Sequence, residues 1–184
     1  MASDTFDTLL PFEILLLSPC LLPGQTSFKE KKASVKVDPQ PGETILFFNI
    51  DDQSNRSCKL REFLWGKETG QQICDLIVFY ATENERVICF VELKENIGDF
   101  GHATEQVINT YNSFKLHLKS SYQAKAFIYG FAGSAPHEHQ KYQNKLSKVF
   151  KNNFDWGRES DNDLGNILRG KSPNIGKGKI NKRK

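Results

Sequence analysis

Apolar residues in this chain fall into short runs separated by polar, Gly- and Pro-bearing stretches, and the spacing inside each run predicts its element. Residues 76–80 (Leu-Ile-Val-Phe-Tyr) and 87–91 (Val-Ile-Cys-Phe-Val) are continuously apolar and are joined by the polar residues 81–86. Such a pair reads as a hairpin of strands buried on both faces, in the middle of a sheet with helices on each side. Residues 45–50 predict another strand, and residues 58–65 fit either a short helix or a strand. Over residues 102–118 the period changes: Val107, Tyr111, Phe114 and Leu118 recur at i, i+4, i+7 and i+11, which predicts a helix with one apolar stripe. Residues 125–131 predict a strand ended by Gly130, Gly133, Ser134 and Pro136, followed by a helix with Tyr142, Leu146, Val149 and Phe150 on one face. Residues 23–44, with Pro23, Gly24, Pro39, Pro41, Gly42 and a charged Lys29–Lys32 cluster, read as a loop. After Gly157 the sequence thins to Gly, Asn, Ser and Lys, and order is expected to fade. The succession strand–strand–helix–strand–helix predicts an α/β fold: three layers, with a central mixed β-sheet flanked by helices.

Length and composition narrow this picture. The 184 residues suit one domain, which we place at residues 1–157, with a flexible basic tail over 158–184. At 38% hydrophobic and 26% charged residues with 14 Phe, a wholly disordered, collagen-like or membrane-embedded chain is excluded. The net charge of +3 hides an asymmetry: residues 165–184 hold seven basic residues and no acid, whereas residues 1–164 carry 18 basic against 22 acidic. The greasy segment 9–22 follows Asp4 and Asp7 rather than Lys or Arg, and Pro11, Glu13 and Pro19 interrupt it. It therefore reads as neither a signal peptide nor a membrane span. Cys20, Cys58, Cys74 and Cys89 form no C-x-x-C pair, which predicts four free thiols, no structural zinc and a reducing, cytoplasmic compartment.

Three polar residues flank the two apolar strands. Asp75 begins the first, while Glu92 and Lys94 end the second in the string Val91-Glu92-Leu93-Lys94. A hairpin sets the start of one strand beside the end of the next, so the three should meet at one end of the sheet. Alternation puts Glu92 and Lys94 on one face and Leu93 on the other. Two carboxylates and an ammonium can hold a hard divalent cation such as Mg²⁺, which polarises phosphoryl oxygens and acidifies water. The lysine can orient that water, take its proton or stabilise charge on a phosphate. The structural alternative is a salt bridge at a solvated strand end.

Asp75, 16 intervening residues, and then Glu92-Leu93-Lys94 resemble the PD-(D/E)XK nuclease superfamily. The string running on through His102-Ala103 to Gln106 is similar to small prokaryotic members of it. The resemblance covers about residues 72–131. It implies the restriction-endonuclease-like core, Asp75 and Glu92 as ligands of Mg²⁺ or Mn²⁺ with the Leu93 carbonyl as a third, Lys94 as the catalytic lysine, and Gln106 as a helix-borne auxiliary near the substrate phosphate or the lysine. The sequence departs from the family pattern in three places. Cys74 stands where the family name has Pro. Tyr111 lies five residues after Gln106, where some members have four. The further glutamate that many members draw from an early helix could be Glu13 or Glu62, and neither is assigned.

Other candidates carry less. His137-Glu138-His139 opens a helix, where a solvated helix start outweighs metal chelation. His102 also opens a helix. Residues 130–134 lack the Gly-Lys-Ser/Thr ending of a phosphate loop. Trp65 and Trp156 are expected in the core rather than stacked on bases. The basic residues from 165 to 184 suit a nucleic-acid arm whose binding weakens with salt. The expectation is a Mg²⁺-dependent endonuclease that cleaves DNA rather than RNA, acting as a homodimer or with a partner subunit if both strands of a duplex are cut. By analogy with the family it would serve in defence, mobile elements or repair. The other classes are a non-cleaving nucleic-acid, nucleotide or protein-binding module on the same fold, and a subunit of a larger complex.

Overall fold

The computed structural model describes residues 19–51, 58–66, 70–95, 99–118, 121–130, 136–157 and 163–171, apart from the side chains of residues 59 and 136–139. Its strands are β1 (Leu21–Leu22), β2 (Ser27–Glu30), β3 (Ala33–Lys36), β4 (Thr44–Asn49), β5 (Leu76–Ala81), β6 (Arg86–Leu93), β7 (Gln123–Tyr129) and β8 (Phe154–Gly157). Its helices are α1 (Lys59–Trp65), α2 (Phe100–Phe114, extended by a 3-10 turn over Lys115–His117), α3 (Pro136–Phe150) and α4 (Gly165–Leu168). The fold is mixed α/β around a six-stranded sheet ordered β1-β4-β5-β6-β7-β8. β1, β4, β5 and β6 pair antiparallel, whereas β6, β7 and β8 pair parallel. The strand direction therefore switches character at β6.

The two apolar runs form the centre of this sheet. Ile77, Ile88 and Phe90 face one side, and Leu76, Val78, Tyr80, Val87, Cys89 and Val91 face the other, all buried. On the first side lie α1, α2 and α3. The α2 stripe is delivered by Phe100, Ala103, Val107 and Phe114, with Tyr111 and Leu118 partly buried beside them. Gly101 lets α3 come close, since a Cβ there would meet the Tyr142 ring within 3.1 Å. Trp156 packs edge-on against Phe100, and the Trp65 indole N–H donates to Ser113 Oγ at 2.9 Å, so both tryptophans are structural.

The second side corrects two expectations. Residues 23–44 were expected as a loop. Instead, residues 27–36 form the antiparallel hairpin β2–β3, which lays Ala33, Val35 and Val37 on the sheet. Order was also expected to fade after Gly157, with a flexible tail from 158. In fact β8 closes the sheet edge, and residues 163–171 fold back over the second face, burying Leu164, Ile167 and Leu168. Two polar clasps hold this segment. The buried Lys125 ammonium donates to the Ile167 and Leu168 carbonyls at 2.8 and 3.0 Å, satisfying the carbonyl end of α4. Arg169 forks onto Glu43 (Nε to Oε1 2.7 Å, Nη2 to Oε2 2.9 Å) and donates to the Asp38 carbonyl at 2.7 Å. The Arg169 fork, aided by the Gln40 N–H and the Tyr80 hydroxyl, holds the Glu43 carboxyl down to about 2 against the opposing effect of burial. Arg169 is thus bound within the fold, and residues 172–184 lie outside the described residues.

All four cysteines are free and buried. Among the described residues no helix is long and apolar enough to cross a membrane. If residues 163–171 seal the second face, Leu168→Ala should cost about 2–5 kcal/mol of unfolding free energy, the range for a fully buried leucine. Urea unfolding with no change in midpoint would show the segment to be only loosely attached.

Candidate functional site

The site is built at the end of the sheet where β6 changes from an antiparallel to a parallel neighbour. The register pairs Leu76 with Val91, which sets Asp75 against Glu92 as the hairpin geometry predicts. The pairing is then locked by side chains. The Asp75 N–H donates to Glu92 Oε2 at 3.1 Å, and the Leu93 N–H donates to Asp75 Oδ2 at 2.7 Å. Each carboxylate thus accepts a backbone bond from the other's strand. Lys94 extends the parallel ladder through its N–H to the Tyr129 carbonyl (2.7 Å), and its ammonium lies 2.5 Å from Glu92 Oε1. Apart from this ion pair, Glu92 Oε1 has no hydrogen-bond partner among the described residues.

Burial decides the electrostatics. Asp75 is 5% exposed and Glu92 0%. Loss of hydration pushes both carboxyls up from the usual range; the charge of Glu92 adds to the rise at Asp75, and the Lys94 ion pair only partly opposes the rise at Glu92. Burial works against the Lys94 ammonium, but Glu92, then Asp75 and Glu30, more than offset it and raise its pKa. Lys94 is therefore a firm cation at neutral pH. It is suited to orienting a water or meeting phosphate charge rather than taking a proton.

Gln106 reaches the site indirectly. It is 7% exposed, and its Nε2 donates to the Ile73 carbonyl at 2.7 Å. One turn along α2, Thr110 Oγ1 accepts the Cys74 N–H at 2.9 Å and donates to the Gln106 carbonyl at 2.8 Å. Together they clip the segment that delivers Asp75. Gln106 is thus bonded to the backbone ahead of Asp75, and among the described residues its buried Oε1 has no hydrogen-bond partner. Tyr111 packs on Phe90 and Phe150. Leu93 turns to the second face, as alternation requires, and lines a cleft with Glu30, Lys31, Lys94, Glu95 and Asp99. Glu62 is exposed on α1, and Glu13 and the side chains of His137 and His139 lie outside the described residues.

The sequence reading missed Glu30. It comes from the hairpin assigned to a loop, and its charge bears on Asp75, Glu92 and Lys94 alike. The available signal was the alternation of Ala33, Val35 and Val37, which marks a strand but is masked by the lysines around it. Thr110 left no signal, since a threonine inside a helix shows its hydrogen bonds only in three dimensions.

The cleft holds about 190 Å³, smaller than the pockets that enclose cofactors or drug-sized ligands. It suits one phosphate and a few waters, with the rest of a ligand lying outside. Among the described residues no three His, Cys, Asp or Glu side chains already surround one point. A cation here would take Asp75 and Glu92, with carbonyl and water oxygens completing its shell. Such a shell fits Mg²⁺, which keeps several waters, and the buried excess of negative charge fits any divalent cation. Comparison with protein-family models, with curated proteins and with solved structures finds no match to this chain.

Two measurements test these energetics. Because the fold disfavours ionised Asp75, its cost is absent below the ordinary carboxylate range, grows as pH rises from there and levels off at the shifted value of about 9. Asp75→Asn keeps an acceptor for the Leu93 N–H and removes the charge. It should raise Tm at pH 8, by about 2–4 °C for each kcal/mol relieved, with the gain shrinking toward pH 5. A lowered Tm at pH 8 would contradict this account. Thr110→Val strands the Cys74 N–H and should cost about 1–3 kcal/mol in chemical denaturation.

Proposed function

We propose that this protein is a divalent-cation-dependent nuclease of the PD-(D/E)XK type, hydrolysing phosphodiester bonds in DNA rather than RNA. The observation that carries this reading is the reciprocal lock of Asp75 and Glu92 at the sheet end, with the Lys94 ammonium 2.5 Å from Glu92. The fold maintains two buried carboxylates whose ionised forms it disfavours. A structural salt bridge needs one carboxylate, and the second is explained by a cation. Asp75, Glu92 and the Leu93 carbonyl would hold Mg²⁺ or Mn²⁺. The bound ion would supply positive charge at the phosphoryl oxygen and a more acidic water. Lys94, charged and 19% exposed along its side chain, faces the cleft that would receive the phosphate. There it stabilises the negative charge that develops as the water attacks. Gln106 and Thr110 keep Asp75 in place through the backbone.

A second reading, a binding module that cuts nothing, is favoured by one observation: among the described residues no third acidic or imidazole side chain already completes a cage. Both readings meet in one experiment. Single-stranded, duplex, branched and circular DNA and RNA are incubated with Mg²⁺, Mn²⁺ or EDTA, for wild type, Glu92→Gln and Lys94→Ala. The nuclease reading expects cation-dependent cleavage that falls at least about 100-fold in both folded variants. It also expects Mg²⁺ or Mn²⁺ to raise the Tm of wild type but not of Glu92→Gln. Binding without cleavage at any cation would establish the module instead.

A further inference from the structure

The β2–β3 hairpin does more than cover the second face of the sheet. Its last pair, Glu30 with Ala33, closes a two-residue turn made of Lys31 and Lys32. Lys31 adopts φ 52°, the left-handed region that two-residue hairpin turns fill with Gly or Asn. A lysine there is disfavoured by its Cβ, and strained residues of this kind gather at functional sites. The tip is also fixed in place: the Lys32 N–H donates to Glu95 Oε1 at 3.0 Å, one residue beyond Lys94. The hairpin therefore crosses the second face and bends its tip around the sheet end, so that Glu30 and Lys31 form one wall of the cleft and Lys94, Glu95 and Asp99 the other. Among the described residues Lys31 makes no hydrogen bond or ion pair, although acids surround it.

The charge layout says what such a lysine meets. Three acids, Glu30, Glu95 and Asp99, line the cleft, and the charge of Glu30 also bears on Asp75 and Glu92, so on its own the cleft repels a phosphate. A nucleic-acid strand entering it needs cations at the rim to hold the phosphates on either side of the reacting one. We propose that Lys31 is a substrate-binding residue, gripping the backbone phosphate next to the one at Asp75 and Glu92. The β2–β3 hairpin is then a fixed arm of the nucleic-acid interface. This rests on the nuclease reading of the site.

The test is equilibrium binding of fluorescein-labelled single-stranded and duplex oligonucleotides, in Ca²⁺ and in EDTA and over a salt series. It uses wild type, Lys31→Gly, Lys31→Asn and Lys31→Arg. Gly and Asn accept the left-handed backbone and remove the charge, so their Tm should be no lower than that of wild type. Their affinity should fall about three- to tenfold, and the slope of log K against log salt should become shallower by about 0.7–0.9, the share of one phosphate contact. Lys31→Arg should keep both. Wild-type affinity and slope in the Gly and Asn variants would make Lys31 a turn residue and overturn the inference while leaving the nuclease reading intact. A wild type that neither binds nor cuts nucleic acid would overturn both.

Discussion

The exchange of hydrogen bonds between Asp75 and Glu92 is the constraint on which the site depends. Each carboxylate is held by a backbone N–H of the opposite strand, so their separation is fixed by the β5–β6 register rather than by flexible side chains. The same bonds keep both groups out of water, where ionisation is costly and one ammonium cannot neutralise two charges. Such an arrangement lowers the stability of the folded chain near neutral pH. Its persistence in an otherwise well-satisfied core argues for function, because proteins tolerate local conflict where chemistry requires it.

The rest of the fold supports that end of the sheet from both faces. From the helix side, α2 inserts Gln106 and Thr110 into the backbone ahead of Asp75, so the helix positions the carboxylate without touching it. From the other side, the hairpin brings Glu30 and Lys31 to the cleft. The hairpin is held in turn by the returning C-terminal segment through the backbone bond from Leu164 to the Lys36 carbonyl (2.8 Å), and the Arg169–Glu43 fork ties the same segment to the start of β4. A bidentate guanidinium–carboxylate pair is directional, and Arg169 and Glu43 are 15% and 6% exposed along their side chains. It ties residues far apart in the chain into one layer.

What was legible in the sequence follows from this division. β5, β6 and α2 announce themselves because their burial pattern repeats over several residues, and the meeting of Asp75, Glu92 and Lys94 follows from hairpin geometry alone. The hairpin β2–β3 was hidden because four-residue strands with one buried face leave only two or three apolar positions, and Lys29, Lys31 and Lys32 outweigh them. The C-terminal segment was hidden for a similar reason. Leu164, Ile167 and Leu168 are three apolar residues in a Gly-, Asn- and Lys-rich stretch, and their burial depends on Lys125 and Glu43, distant partners that no local pattern reveals. The bond from Gln106 to the Ile73 carbonyl was not legible, because spacing shows which element carries a side chain but not which atom it bonds.

The protonation of the site ties these parts together. The raised pKa of Asp75 and Glu92 and the raised pKa of Lys94 are two sides of one imbalance: two buried carboxyls share a single ammonium, so the groups retain protons. A divalent cation would remove that imbalance at once. The two carboxyls would ionise, the hold of Glu92 on Lys94 would weaken, and the ammonium would be freed toward the cleft. On the proposed nuclease reading, the Lys94–Glu92 contact would be the form that the site takes before an ion occupies the carboxylates. Ion binding and the availability of the lysine would then be coupled through charge balance in a space largely closed to water.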